Sequence, residues 1–339
     1  MIWLFAFAVI LVSEVTSNYT EKSMGYIDEL VHFINEQSGA SWKAARPTRF
    51  KSVEHFKLHL GALAETPELR NSRRPTIKHY ASVNDLPESF DARKQWPNCR
   101  SIGEIRDQSS CYSCWAFGAV EAMSDRVCIH SNGRMRPRLS ALDPLSCCNY
   151  CGYGCLGGFP SMAWDFWWRS GIVTGGSVEQ QFGCLPYPFP RCSHGEESRG
   201  LTPCPADLYP TPQCSKYCRR GYVKTYEKDK FYGNSSYNVN ATEGDIMMEI
   251  MKNGPVEATF HVYDDFISYK SGIYHHVIGE YYGMHAVRVL GWGVENGVKY
   301  WLAANSWNEI WGEYGFFRIR RGNNECGIES MVNAGMPRS

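Results

Sequence analysis

Hydrophobic and polar positions are phased differently along successive parts of this chain. Ile2 to Val12 is an unbroken apolar run. It is too short to span a bilayer and is followed by the small-residue site Val15-Thr16-Ser17, so residues 1–17 read as a secretory signal, although no Lys or Arg precedes the run. Next, Tyr26, Leu30, Val31, Phe33 and Ile34 fall at roughly helical spacing, and Phe56 to Leu63 repeats it. Asn71-Ser72-Arg73-Arg74-Pro75 reads as an exposed loop open to proteolysis. From Ser113, the stretch Cys114 to Met123 is apolar on nearly all sides, which predicts a buried helix with Cys114 in its first turn. Between Cys147 and Cys218 the chain is full of Gly, Pro and Cys, and reads as loops that need staples. The last third gives short β-rich runs at Val256–Tyr263, Ala286–Leu290, Tyr300–Ala304 and Phe316–Ile319. A helix-centred half followed by a strand-rich half predicts an α+β fold of two lobes.

Composition changes this picture at two points. The 339 residues carry 35 basic and 35 acidic side chains and no basic run, which argues against nucleic acid or an anionic membrane as main partner. The 14 cysteines matter more: none precedes Cys99, and only Cys326 follows Cys218. Such a load belongs to an oxidising compartment, in accord with the signal. Asn18, Asn234 and Asn240 open tripeptides that are glycan acceptors on that route. No other segment approaches membrane length, so the mature protein is expected to be soluble, either secreted or lysosomal. Cysteine-free residues 18–85 are then a removable pro-segment or a small N-terminal domain, and the cysteine boundary favours the former.

Three chemistries compete for Cys111-Tyr112-Ser113-Cys114-Trp115. A redox pair would want a βαβ context, which the buried helix does not supply. A zinc half-site could pair with Cys148-Asn149-Tyr150-Cys151, but the gap is longer than in ribbon-type sites. A nucleophile at a helix N-terminus makes physical sense, because the dipole and a nearby imidazolium favour thiolate. One nucleophile among an even number of cysteines leaves at most six disulfides and one spare thiol. A base and an orienting group are also required. His285 precedes the apolar run Ala286-Val287-Arg288-Val289-Leu290, at an expected strand start, and Asn305-Ser306-Trp307 follows another. An Asn amide could hold the imidazole tautomer while Trp307 shields that bond from water. Histidines 275 and 276 read as polar strand-end residues.

The run Asp107-Gln108-Ser109-Ser110-Cys111-Tyr112-Ser113-Cys114-Trp115-Ala116-Phe117 resembles the active-site block of papain-like cysteine peptidases. In that family the His and Asn follow by about 130–150 residues. Here the distance is greater by tens of residues, and a Cys-rich insertion at about 184–218 accounts for the excess. That insertion is similar to the occluding loop of the cathepsin B branch. The blocks Leu86–Arg93, Gly118–Arg126 and Gly291–Gly297 resemble the same branch, as Trp42-Lys43-Ala44 resembles its pro-segment. The resemblance implies a zymogen with a pro-segment over 18–85 and a peptidase domain over 86–339, folded as a helix-rich and a β-barrel-like lobe around a cleft. It implies Cys114 as nucleophile, His285 as base and acid, and Asn305 as its orienter. Gln108 would complete the oxyanion hole, worth roughly 10²–10³ in rate per donor. Gly157, Gly158, Ala286, Trp307, Tyr112, Met331 and His194 would contact substrate. It further implies disulfides Cys99–Cys128, Cys111–Cys155, Cys147–Cys214, Cys148–Cys151, Cys184–Cys218 and Cys192–Cys204, with Cys326 free. No metal or cofactor is implied. The partners are protein and peptide substrates, the chain's own pro-segment and cystatin-like inhibitors, and the protein is expected to be a monomer activated by acid.

Several positions depart from the family pattern. Tyr112 replaces a glycine beside the pocket for the residue before the cut, which either narrows that pocket or leaves it if the phenol swings out. Met284 also replaces a glycine. The occluding loop normally holds a substrate carboxylate with two histidines; here His194 is followed by Gly195. Losing one charged donor costs on the order of 1.5–3 kcal/mol. Of the two ion pairs that pin that loop, His194 with Asp107 is retained, whereas the acidic member of the other is replaced by Ile310. Weak dipeptide release and an easily opened loop are expected. Met331 replaces a glutamate in the pocket for the second residue before the cut, which then favours apolar side chains. The competing reading is a catalytically impaired homologue that binds peptides or partners in the same cleft.

Overall fold

The computed structural model describes residues 25–47, 50, 53–193 and 200–338. The signal expected over 1–17, the acceptor Asn18, and His194 and Gly195 lie outside them. Helix α1 covers 25–36 and buries Ile27, Leu30 and Ile34 along one face. Strand β1 (Trp42–Ala44) and helix α2 (Val53–Lys57) follow. The spacing of Phe56 to Leu63 predicts a longer helix, but α2 stops at Lys57 because the next residues find backbone partners elsewhere. The N–H of Ala62 donates to Met284 O at 3.2 Å and that of Leu63 to Gly158 O at 2.8 Å. The loop expected at Asn71–Pro75 is also corrected. Pro67–Arg73 forms helix α3, with Thr66 as N-cap and Pro67 in the first turn. Asn71, Ser72 and Arg73 are exposed on it, but Arg74 is buried. Strand β2 (Thr76–Ile77) ends this N-terminal segment's regular structure.

The first lobe contains β3 (Phe90–Asp91), α4 (Ala92–Gln95), α5 (Cys114–His130), α6 (Leu142–Cys147) and α7 (Pro160–Ser170). Every residue of α5 from Cys114 to Ile129 is buried, its apolar residues by packing and Glu121, Asp125 and Arg126 through ion pairs with Arg288 and Glu249. Trp115, Phe117 and Val120 pack there with Trp164 and Trp167 of α7. Residues between α7 and the second lobe have little regular structure and are held by covalent bonds. Cys99–Cys128, Cys111–Cys155, Cys147–Cys214, Cys148–Cys151, Cys184–Cys218 and Cys192–Cys204 are bridged, and Cys114 and Cys326 are free.

The second lobe contains β4 (Tyr237–Val239), α8 (Glu243–Asn253), β5 (Val256–Tyr263), β6 (Tyr269–Tyr274), β7 (Tyr281–Glu295), β8 (Val298–Ala304), β9 (Phe316–Arg320) and β10 (Met331–Ala334). The strands join in the order β1-β6-β9-β8-β7-β5-β10-β4-β2, with β3 on β7. Both ends of that order, β1 and β2, come from the segment before Leu86. They cover two edges that would otherwise present unpaired backbone. His285 lies inside β7 opposite Phe260 rather than at a strand start, because β7 keeps pairing with β5 back to Tyr281. The lobes are tied where Arg288 of β7 meets Asp125 of α5 at 2.7 Å, both fully buried. Among the described residues no helix is long and apolar enough to cross a membrane.

Candidate active site

The cleft floor is the N-terminus of α5. Cys114 is its first residue, with Ser113 as N-cap, and its sulfur lies against the backbone of Ala286, Gly61 and Trp115. Cys111 is bonded to Cys155 and Cys148 to Cys151, which leaves Cys114 without a redox partner and removes the thiolates a zinc site would need. From the opposite lobe, His285 Nε2 donates to Asn305 Oδ1 at 2.7 Å, and Ser306 N–H donates to the same oxygen at 2.8 Å. That pairing fixes the tautomer with its proton on Nε2 and leaves the Nδ1 lone pair for chemistry. The Trp307 ring lies 4.6 Å from the imidazole, centroid to centroid, and excludes water from it.

Gln108 is held rigidly beside them. Its Oε1 accepts from Ser306 Oγ at 2.7 Å, and its carbonyl accepts from Tyr187 Oη at 2.8 Å. The Nε2 group is thereby aimed at the cleft, where it donates to His59 O at 3.2 Å as well as to Cys111 O at 2.8 Å. A peptide carbonyl of the N-terminal segment thus occupies the position of an oxyanion donor's acceptor. Two residues on, Gly61 is pressed against Tyr112: an added Cβ would meet Tyr112 O at 2.0 Å. Gly61 O accepts from Gly158 N at 2.9 Å, and Ala62 and Gly158 form a parallel bridge. Gly158 has no room for a side chain, since a Cβ would lie 2.5 Å from the Trp115 ring. Gly157, at φ +110, faces Gly61 O. Ala62 packs with Cys114, Met284, Ala286 and the half-buried Met331. Tyr112 is itself half-buried, and burial raises its phenol's pKa.

Burial sets the protonation state of this covered site. The Cys114 thiol is pushed up to about 12 by desolvation, against which its backbone hydrogen bonds act only weakly. His285 is pushed down to about 4 by the same desolvation, partly offset by Asn305 and the His59 carbonyl. The covered pair is therefore a neutral thiol beside a neutral imidazole, and holds neither the nucleophile nor the acid in reactive form.

At the base of the 184–218 insertion, Asp107 Oδ2 accepts from Cys192 N at 3.2 Å and Asn308 Nδ2 at 2.9 Å. The contact expected between Asp107 and His194 lies outside the described residues. Ile310 stands where the resemblance calls for an acid, but the neighbouring Glu309 ion-pairs with Arg191, just ahead of Cys192. That pair ties the base of the insertion, ahead of the loop closed by Cys192–Cys204, and leaves the expectation drawn from Ile310 as it stands. Sequence reasoning also missed His59, Gly61 and Ala62 as residues of the cleft. Their only signal was Gly61 interrupting the helical spacing.

Residues 86–336 match the model of the papain family cysteine proteases. The chain belongs to that family and is a cysteine-type peptidase. Within it the chain is cathepsin B-like. It is 52% identical over 336 residues to a cathepsin B-like cysteine proteinase of Schistosoma japonicum, covering 99% of this chain and 98% of that protein. It is 50% identical to cathepsin B-like cysteine proteinase 6 of Caenorhabditis elegans, over 92% of this chain and 83% of that one. Among solved structures, proCathepsin B S9 from Trypanosoma congolense superposes with a TM-score of 0.78 at 37% identity, over 92% of this chain and 98% of that one.

Proposed function

We propose that the chain is a secretory zymogen in which residues 18–85 inhibit, in cis, a cathepsin B-like endopeptidase formed by residues 86–339. The observation that carries this reading is the His59 carbonyl on Gln108 Nε2, with Gly61 against the Cys114 sulfur. The segment fills the cleft as a peptide would, while burial keeps Cys114 and His285 neutral. Once it leaves, solvent and the α5 dipole favour the thiolate beside an imidazolium. Cys114 attacks the peptide carbonyl, and the developing oxyanion takes hydrogen bonds from Gln108 Nε2 and the Cys114 N–H. His285 gives its proton to the leaving amine, and an acyl-enzyme remains. Water deprotonated by His285 then attacks that thioester and frees Cys114, while Asn305 holds the ring throughout.

Specificity follows from the departures. Met331, packed with Met284 and Ala286, makes the pocket for the second residue before the cut apolar. Tyr112 reshapes the neighbouring pocket without removing the catalytic groups. Gly195 in place of a second loop histidine weakens dipeptide release. The route is lysosomal or extracellular, with Asn234 an exposed glycan acceptor.

The test is recombinant zymogen activated at acid pH, its thiol titrated with an epoxide inhibitor, assayed on two fluorogenic dipeptides carrying Leu or Arg at the second position. Titratable sites with Leu turned over faster are expected. Faster turnover of Arg overturns the reading of Met331, and dipeptide release at the rate of an ordinary cathepsin B overturns that of Gly195. A thiol that does not titrate would instead favour a peptide-binding homologue.

A further inference from the structure

Strand β4 pairs with β10 at Asn333–Asn238 and Ala334–Tyr237, and with β2 along its other edge. Past that pairing β10 has no β4 residue opposite Ser330 and Met331. In the zymogen an arginine fills the gap. Arg70 Nη1 donates to Ser330 O at 2.5 Å, Nη2 to Val332 O at 2.6 Å and Nε to Asn238 Oδ1 at 2.9 Å. The guanidinium is nine-tenths buried, and its fork of donors matches the three acceptors. Asn238 is 1% exposed, and its Nδ2 donates to Arg70 O at 3.3 Å and Arg74 O at 3.5 Å. Each of these side-chain hydrogen bonds of Asn238 therefore ends on the N-terminal segment. Removing that segment takes the charged donor from the Ser330 and Val332 carbonyls and from Asn238 Oδ1 together, and opens all three to another.

Beside these acceptors lies a groove walled by Asn238, Asn240, Ser330 and Met331 on the peptidase side and by the N-terminal segment on the other; it shares Met331 with the cleft but includes none of Cys114, Met284 or Ala286. We propose that in the mature peptidase the Ser330 and Val332 carbonyls and Asn238 Oδ1 form a subsite for a substrate arginine, at the third or fourth residue before the cut. This rests on the zymogen reading above, since Arg70 must leave first. The subsite takes Arg rather than Lys, because three acceptors spread around a plane suit a guanidinium fork and not a point charge. It is compatible with an apolar second residue, for which Met331 supplies the wall.

The processed, epoxide-titrated enzyme is assayed on coumarin peptides with Leu at the second position and Arg, citrulline or Ala at the third and fourth. Citrulline keeps the shape of arginine without its charge. Arg is expected to exceed citrulline about ten-fold in kcat/KM at one of the two positions, as charge-assisted hydrogen bonds allow. In Asn238→Leu that ratio falls to about two-fold, while the Ala substrate is cleaved at an unchanged rate. Should Asn238→Leu fail to accumulate, Asn238→Asp keeps an acceptor, adds charge, and is expected to raise the ratio. Equal rates for Arg and citrulline in a fully titrated enzyme overturn the subsite and leave the peptidase reading intact. So does an Arg preference that Asn238→Leu does not change, or an Asn238→Leu effect confined to the rate of activation. A thiol that does not titrate overturns both.

Discussion

Upstream of Gly61 the N-terminal segment is held by rings, and downstream of it by charges. Trp42 is buried against Tyr269 and Tyr274, at 6.0 and 5.1 Å between centroids, and Phe50 and Phe56 meet Trp307 edge-on at 5.3 and 5.6 Å. Downstream, Arg74 bridges Glu65 and Asp165, Arg70 caps the β10 edge, and His79 Nε2 reaches Glu249 at 2.6 Å. The upstream half joins one end of the sheet through β1, and the downstream half the other through β2. Apolar burial does not titrate, whereas ion pairs do. Acid should therefore loosen the downstream half and the cleft first, with the upstream half acting as the anchor.

Breaking the anchor is expected to have the largest effect. Trp42→Ala should weaken docking by about 3–5 kcal/mol. The loss should be the same at neutral and acid pH, measured as inhibition of the mature enzyme by the added segment. Arg74→Met strands two carboxylates whose side chains are 4% and 9% exposed, at about 3 kcal/mol. Unlike the first, this penalty should shrink as pH falls and Asp165, whose carboxyl is raised by burial, takes up a proton. An identical pH profile for the two variants would erase the distinction between the halves.

Acid alone gives the next effect. The covered His285 sits near 4 and an uncovered one near the ordinary 6.5, so the open state takes up the proton first. The cover therefore loses stability as pH falls from about 6.5 to about 4, by up to about 3 kcal/mol. In a Cys114→Ser zymogen, which cannot cut itself, limited proteolysis of the segment should rise across that window. No rise there would remove His285 from the activation step. The Glu249 contact contributes nothing to this: burial would raise its carboxyl, but Arg126, His79, Tyr237 and Asn253 hold it at about 2. Its depressed value gives stability above about 4.5 that is lost only toward pH 2. The smallest effect belongs to Glu309→Gln. The Arg191–Glu309 pair is 33% and 44% exposed and worth about 0.2–1 kcal/mol, so dipeptide release should change less than about five-fold.

Much of the fold was legible from pattern. Helix α5 declared itself because a helix with no polar face must be buried, and the strand runs of the second lobe because β-branched and aromatic residues cluster there. The misreadings fell where backbone partners lie far along the chain. Phe56 to Leu63 has helical spacing, yet Ala62 and Leu63 pair with Met284 and Gly158. Asn71–Pro75 has loop composition, yet Arg70 just before it and Arg74 within it are drawn inward by Asn238, Glu65 and Asp165.

The sequence by itself determined the class of chemistry. A cysteine at the start of an apolar helix, a histidine beside one apolar run and an asparagine after another, and an odd cysteine left over are local facts, readable because residue type and helix position set thiol reactivity. What only the tertiary structure decided is the state of that chemistry. Whether Cys114 is a thiol or a thiolate depends on the water and charge around it, and these are set by Gly61 and His59, far away in the chain. The acceptors on β10 likewise have no sequence signature, because backbone carbonyls are common to every residue. They become a site only where the fold brings Asn238 of β4 beside them.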